Sequence, residues 1–351
     1  ISDEIVGYFL DQKTFEIVDV DQIVINEINI DLETNGNSIF NCFKHLNIKK
    51  GDIIYLKKND ANHFIGIVEC QEKNSNDDLY TITCKYILSL FDVQVFKEND
   101  EIISTTGIED FLKTMIVNEF INNSDSFVNR NYLTVEALTH NKKTIQIENI
   151  VTVNNDVYNF LTFINNCIKN YDLKFDFILT NEKLKIVIGT KTDESIMIDA
   201  TTTDIIDYTE VYALSYTAKV EVLIKENNTK YYRYLLNDRT TTTNQNDVKR
   251  VFGKVQKTVV EKTEDAEQTA LDIFKGNSYE HNITFTIRKD SKLMNVKNIK
   301  IGQPILIKTK NNILQDTYIS KIVDNNSNYI TLTCGNIRIN YIDKFLKERR
   351  Q

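Results

Sequence analysis

Between residues 47 and 57 a polar turn gives way to an apolar run, "NIKKGDIIYLK", and the pattern returns at 298 to 308 as "NIKIGQPILIK". Six of the eleven positions are identical, with Gly51 matching Gly302 where the turn hands over to a strand. The likeness continues downstream. "FIGIV" (64 to 68) matches "ISKIV" (319 to 323), and "LYTITC" ending at Cys84 matches "YITLTC" ending at Cys334, so the three matches have offsets of 251, 255 and 250 residues. Short alternating runs bounded by Asn, Asp, Gly and Ser predict consecutive antiparallel strands. One more alternating segment precedes each set: "EINIDLE" at 27 to 33 and "HNITFTIRKD" at 281 to 290. The pattern predicts an internal duplication of a small β-domain, each copy a barrel, because closure removes exposed sheet edges.

Between the copies the period changes from two to that of a helix. In "TTGIEDFLKTMIVNEFINN", Thr106 and Glu109 have capping-box spacing, and Ile108, Phe111, Leu112, Met115 and Ile116 share one helical face. A second helix is predicted over "NNDVYNFLTFINNCIKNY" with Val157, Leu161, Ile164 and Ile168 inward, then a hairpin turning at Thr180 to Glu182. A further hairpin, "AKVEVLIKENNTKYYRYLL", leads through a Thr- and Asn-rich loop to a helix from about Glu264 to Lys275, ended by Gly276. The fold class is therefore mainly β with an α+β insertion: two related β-barrel domains flanking a small α+β domain. The expected boundaries are 1–103 for the first barrel, 104–205 for the insert, 206–345 for the second barrel with a helical and loop insertion at about 237–280, and 346–351 for a C-terminal tail.

Composition adds to this picture mainly by exclusion. With 351 residues and 41% apolar side chains the chain can bury several cores. No apolar run approaches membrane-spanning length, and the amino terminus lacks a basic-then-apolar signal layout. A net charge of −8 argues against wrapping nucleic acid through a dominant basic face. Five scattered cysteines, Cys42, Cys70, Cys84, Cys167 and Cys334, read as reduced core residues rather than a disulfide framework. His45, His63, His140 and His281 fall in no compact metal spacing and read as surface or turn residues. A glycosidase pair could hide among Asp176, Glu182, Glu194 and Asp199, but such carboxylates more often lie on solvated strands and loops. No catalytic residue, cofactor site or metal site follows from the sequence.

The aromatic and basic run "TKYYRYLLNDR" could stack bases in a single-strand groove. It fits more simply as a strand at a subunit interface, with Tyr231, Tyr232, Arg233 and Tyr234 as the contact residues.

The order "GDIIYL", "FIGIVE", "YTITCKYILSLFD", "IEDFLKTMIVNEF" and "YYRYLLND", followed by "EQTALDIFKGNSYEHNITFTIRKDSKLMNVKNIKIGQPILIKTK" and "DTYISKIV", resembles the baseplate hub of tailed phages. More narrowly, it is similar to the amino-terminal structural part of siphophage tail-tip or tail-associated, prophage tail endopeptidase-like proteins. The resemblance implies two related barrels per subunit and a homotrimer, so that six barrels ring a channel in a pseudo-sixfold arrangement. It also implies a place in the virion tail, assembled in the bacterial cytoplasm. The implied partners are the distal tail protein, the tail tube or tape-measure protein, and tip or receptor-binding proteins, without stable nucleic-acid binding or membrane insertion. Two readings from other classes stay open: a tail-associated cell-wall hydrolase, which would need convergent catalytic groups, and a glycan-binding receptor module, which would need an exposed aromatic cleft.

Overall fold

The computed structural model describes residues 3–335 apart from 74, 77, 99–100, 103–105, 181, 192–194, 214–216, 238–239 and 276–279. The tail expected at 346–351 and the helix cap expected at Gly276 lie outside the described residues.

The chain opens with β1 (Ile5–Leu10), β2 (Ile17–Asp31), β3 (Ser38–Cys42), β4 (Ile53–Lys58), β5 (Ala61–Lys73) and β6 (Tyr80–Tyr86). Alternation turns one face of each strand inward, where Phe9, Phe40, Ile54, Leu56, Ile82 and Cys84 are fully buried together. β4 turns into β5 through Asn59 and Asp60, at φ 49° and 65°, the left-handed pair of a two-residue hairpin loop. Asn and Asp tolerate that region better than other side chains. Among the described residues, nine of the eleven non-glycine residues at positive φ are Asn or Asp, which lets a chain with only ten glycines make many tight turns. β1 borders both β2 and β4, so antiparallel pairing runs β1-β4-β5-β6-β3-β2 and returns to β1.

The middle of the chain holds β7 (Gln94–Phe96), β8 (Glu101–Ile102), α1 (Ile108–Ile116), β9 (Leu133–Ala137), β10 (Ile145–Gln146), α2 (Ile147–Ile150), β11 (Val157–Asn159), α3 (Phe160–Asn170), β12 (Leu173–Leu179) and β13 (Leu184–Thr190). Ile108, Leu112 and Ile116 are buried, as helical spacing requires, but Thr106 and Glu109 form no capping box. Gly107 at φ 120° is the N-cap. Glu109 turns inward, fully buried, and accepts hydrogen bonds from Thr139 Oγ1 (3.0 Å), Asn141 N (2.6 Å) and Asn141 Nδ2 (2.5 Å). A nearby loop with three donors has won this carboxylate from the helix end. Val157, expected on the second helix, lies instead in β11 opposite Phe96. The helix begins at Phe160, capped by Asn159 Oδ1, which accepts from Thr162 N at 2.8 Å. The predicted hairpin is β12–β13, closing at Leu179 opposite Leu184, and β9 joins β13 in parallel.

The first sheet is pinned to this middle unit by the turn at 11–16. Phe15, at φ 62°, stacks on Tyr132 with ring centroids 4.5 Å apart, while Tyr132 Oη and Arg130 Nη1 both donate to Gln12 O (3.0 and 2.8 Å). A bulky side chain at positive φ costs on the order of 1–3 kcal/mol. Asp11 supports the turn by accepting from Lys13 N and Thr14 N, and these backbone donors hold its carboxyl below the usual range.

After β14 (Ile196–Asp199) and β15 (Ile205–Ala213) comes a separate sheet of β16 (Thr217–Ile224), β17 (Thr229–Leu235), β18 (Thr241–Thr242) and β19 (Lys254–Val260), packed on α4 (Ala266–Lys275). The chain then returns through β20 (Glu280–Arg288), β21 (Pro304–Lys308), β22 (Leu314–Asp324) and β23 (Tyr329–Gly335). Here the pairing runs β14-β21-β22-β23-β20-β15 around a second apolar core. It does not close. β14 lies parallel to β21, and no pairing joins it to β15 among the described residues, so the expectation of a closed barrel is not met in this half. The last four residues of β2, Ile28–Asp31, pair with Lys321–Asp324 of β22, which joins both halves into one twelve-stranded sheet.

Register corrects two details of the expected correspondence between the halves. Ile54 faces Gly66, and Ile305 faces Thr317, so β5 and β22 correspond at an offset of 251 rather than 255. A slip of four residues preserves every inward and outward position, so alternation alone cannot detect it. The strand beside β6 is β3, and the strand beside β23 is β20, so the counterpart of 281–290 is Ser38–Cys42 rather than "EINIDLE". Residues 196–199, expected within the α+β insert, pair with β21.

Candidate interaction surface

The two matched turns have the same backbone wiring. Gly51 (φ 95°) donates to Val68 O at 2.9 Å, and Gly302 (φ 80°) donates to Ile319 O at 2.7 Å. In return, Val68 N donates to Asp52 O (2.8 Å), and Ile319 N donates to Gln303 O (2.9 Å). The following side chain caps each turn: Asp52 Oδ2 accepts from Lys49 N at 2.8 Å, and Gln303 Oε1 from Lys300 N at 3.2 Å. Val68 faces Cys84, Ile319 faces Cys334, and each pair is followed by a one-residue irregularity, at Glu69 and Ser320. Burial pushes the thiols of Cys84 and Cys334 well up, so at neutral pH both are packing groups rather than nucleophiles.

The sequence-selected aromatics lie on β17 and point to both sides of the four-stranded sheet. Toward α4, Arg233 donates to Tyr231 Oη (2.7 Å), Thr241 Oγ1 (2.7 Å) and Glu267 Oε1 (2.8 Å), so this guanidinium is satisfied within the chain. The other face can be read from register. Tyr234, Lys219 and Val255 form one row; Tyr232, Glu221 and Lys257 the next; Lys230, Leu223 and Val259 the third. Tyr234 is buried beneath Arg250, whose guanidinium carbon is 3.9 Å from the ring centre, whereas Tyr232 remains 38% exposed. The four residues therefore divide: Tyr232 and Tyr234 belong to the open face, Tyr231 and Arg233 to the helix side.

Sequence reasoning missed the arm beside this face. Val248 and Phe252 are each 97% exposed, although the backbone around them is fixed by Asn237 N donating to Lys249 O (2.9 Å) and Val251 N to Leu235 O (3.1 Å). The available signal was three apolar residues, Val248, Val251 and Phe252, around "KR" at the end of a run otherwise made of Thr, Asn, Gln and Asp.

The other candidate groups are dispersed. His140 Nδ1 lies 2.5 Å from Asp110, His45 beside Gln71, and His281, expected at a surface or turn, is buried on β20 with Nε2 2.6 Å from Thr317 Oγ1. Its place on an inward strand position explains the difference. Cys70 is exposed, unlike the other four cysteines. Asp176 pairs with Lys174 and Asp199 with Lys308. Among the described residues no cluster of His, Cys, Asp and Glu is arranged to hold a metal ion.

No protein-family model matches the chain, and no curated protein matches it in sequence. Solved structures do match in fold. One is the 43 kDa tail protein of prophage MuSo2 from Shewanella oneidensis, 12% identical, with 95% of this chain and 98% of that one covered and a TM-score of 0.54. Another is a tail protein from Neisseria meningitidis MC58, 9% identical, with coverage of 95% and 97% and a TM-score of 0.53. Over nearly its whole described length, this chain has the fold of prophage tail proteins.

Proposed function

We propose that the chain is a structural component of a phage or prophage tail: a baseplate hub or tail-tip protein that acts by assembly rather than by chemistry. The observation that carries this reading is the shared fold with two tail proteins over 95% of the chain. The matched wiring at Gly51 and Gly302, and the equivalent places of Cys84 and Cys334, support descent of the two six-strand halves from one duplicated unit. Three copies would then present six related units around a channel, adapting a sixfold tube to a threefold tip. The virion tail is the proposed location, with the tube, distal tail protein and tip proteins as neighbours.

Immunogold labelling of purified tails, with copy number from quantitative mass spectrometry, tests this reading. The expected result is label at one tail end and three copies per particle. Label along the whole tube, or absence from particles, would overturn it.

A further inference from the structure

The open face of the β16–β19 sheet and its arm carry a charge unlike the rest of the chain. Its three rows hold Lys219, Lys230 and Lys257 against Glu221, and the arm holds Lys249 and Arg250 against Asp247, a net of +3. The whole chain carries −8, which leaves −11 on the remainder. Apolar groups stand among these cations: Tyr232, Val255 and Val259 on the sheet at 38, 46 and 38% exposure, and Val248 and Phe252 on the arm at 97%. Single exposed apolar residues need no explanation, but a cluster held on fixed backbone marks a contact surface.

The opposite side of the same two-layer unit has the complementary character. Residues 261–275, which lead into and form α4, hold five acidic and two basic side chains, and Glu261, Glu264 and Glu267 project at 62, 77 and 63% exposure while pairing with Lys225, Lys262 and Arg233 of the same chain. We propose that the basic, apolar-tipped face of one copy docks on the acidic start of α4 in a second copy. A basic rim around an apolar centre suits a protein surface, and this chain itself supplies the acidic counterpart. Because the two surfaces lie on opposite sides of one unit, the contact is head-to-tail, the type that closes into a ring when the rotation permits. The choice of a second copy as the partner rests on the ring-forming reading above.

Sedimentation velocity of the full chain tests it with charge-swapped variants. Wild-type protein at about 100 µM, a range that registers weak contacts, is expected to self-associate, and less so as salt rises. Lys230→Glu with Lys257→Glu, or Glu261→Lys with Glu264→Lys, should each raise the dissociation constant at least about tenfold, and the four substitutions combined should restore it. Phe252→Asp with Val248→Asp should also weaken association while leaving the circular dichroism spectrum unchanged, since neither side chain is packed. A monomeric wild type, association unaffected by these pairs, or failure of the combined variant to recover would each overturn the docking proposal. Tail labelling and copy number are measured independently, so the tail assignment could survive that failure.

Discussion

Replacing each matched turn glycine by alanine probes both turns with the same chemical change in different surroundings. Gly302 has φ 80°, and a Cβ there would meet nothing nearer than Ile168 Cγ2 at 3.8 Å. Its cost is therefore conformational: about 1–2 kcal/mol for a left-handed alanine, partly offset by about 0.4–1 kcal/mol from a less flexible unfolded chain. The net is about 1 kcal/mol of destabilisation. Gly51 has φ 95°, and its Cβ would lie 2.4 Å from Gln12 Oε1, so Gln12 must rotate and give up its Nε2 hydrogen bond to Lys50 O at 3.3 Å. That adds about 0.5–1.5 kcal/mol, for a total near 2 kcal/mol. With no Trp in the chain, local hydrogen exchange read by mass spectrometry is the sharper probe. Amides of β21 and β22 should exchange about fivefold faster in Gly302→Ala, and those of β4 and β5 about thirtyfold faster in Gly51→Ala. Unchanged protection in Gly302→Ala, or an equal effect at both sites, would refute the reasoning from backbone angle and local clearance.

Glu109→Ala should lower the stability of the middle unit by about 3 kcal/mol, because it strands the donors of Thr139 and Asn141 in a buried site; a denaturation midpoint close to wild type would contradict this. Burial pushes Lys191 down to about 8 from an ordinary 10.5, so between those pH values the unfolded chain holds a proton that the folded chain has released, and stability from this group rises with pH. The stability difference between wild type and Lys191→Met should therefore shift in favour of wild type from about pH 8 to about pH 10.5, and a pH-independent difference in urea midpoints would count against it. Despite its basic arm, the chain at −8 net charge should give no mobility shift with duplex DNA at physiological salt; tight binding there would argue against a channel-lining role.

Alternation in "DIIYLK" and "YITLTC" was enough to locate β4 and β23, and the helical spacing of Ile108, Leu112 and Ile116 to locate α1. What alternation could not supply was pairing. β2 and β3 alternate equally well, and only the folded register shows which one borders β6. Val157 fits a helical stripe by spacing, yet two left-handed residues before it, Asn155 and Asp156, turn the chain into β11 first. For the interaction surface, the Tyr and Arg cluster was visible, but its division between two faces was not, since that depends on which side α4 covers. The exposure of Phe252 was illegible for a similar reason: an apolar residue in a loop normally turns inward, and only the pinned backbone at Lys249 and Val251 holds this one out.

The fifteen residues of β2 serve three neighbours in turn: β1, then β3, then β22. A strand shared in this way is a weld rather than a linker. Separating the two halves would leave Ile28–Asp31 and Lys321–Asp324 as raw borders, with Ile28, Ile30 and Ile322 among them, primed to pair with any strand available. Neither half is therefore separable cargo for recombination: shuffling between relatives should exchange the whole chain, or the β16–α4 unit that stands outside the weld, but not one half alone. Mechanically, a load entering one half reaches the other through backbone hydrogen bonds across the sheet, with no slack segment to take it up first.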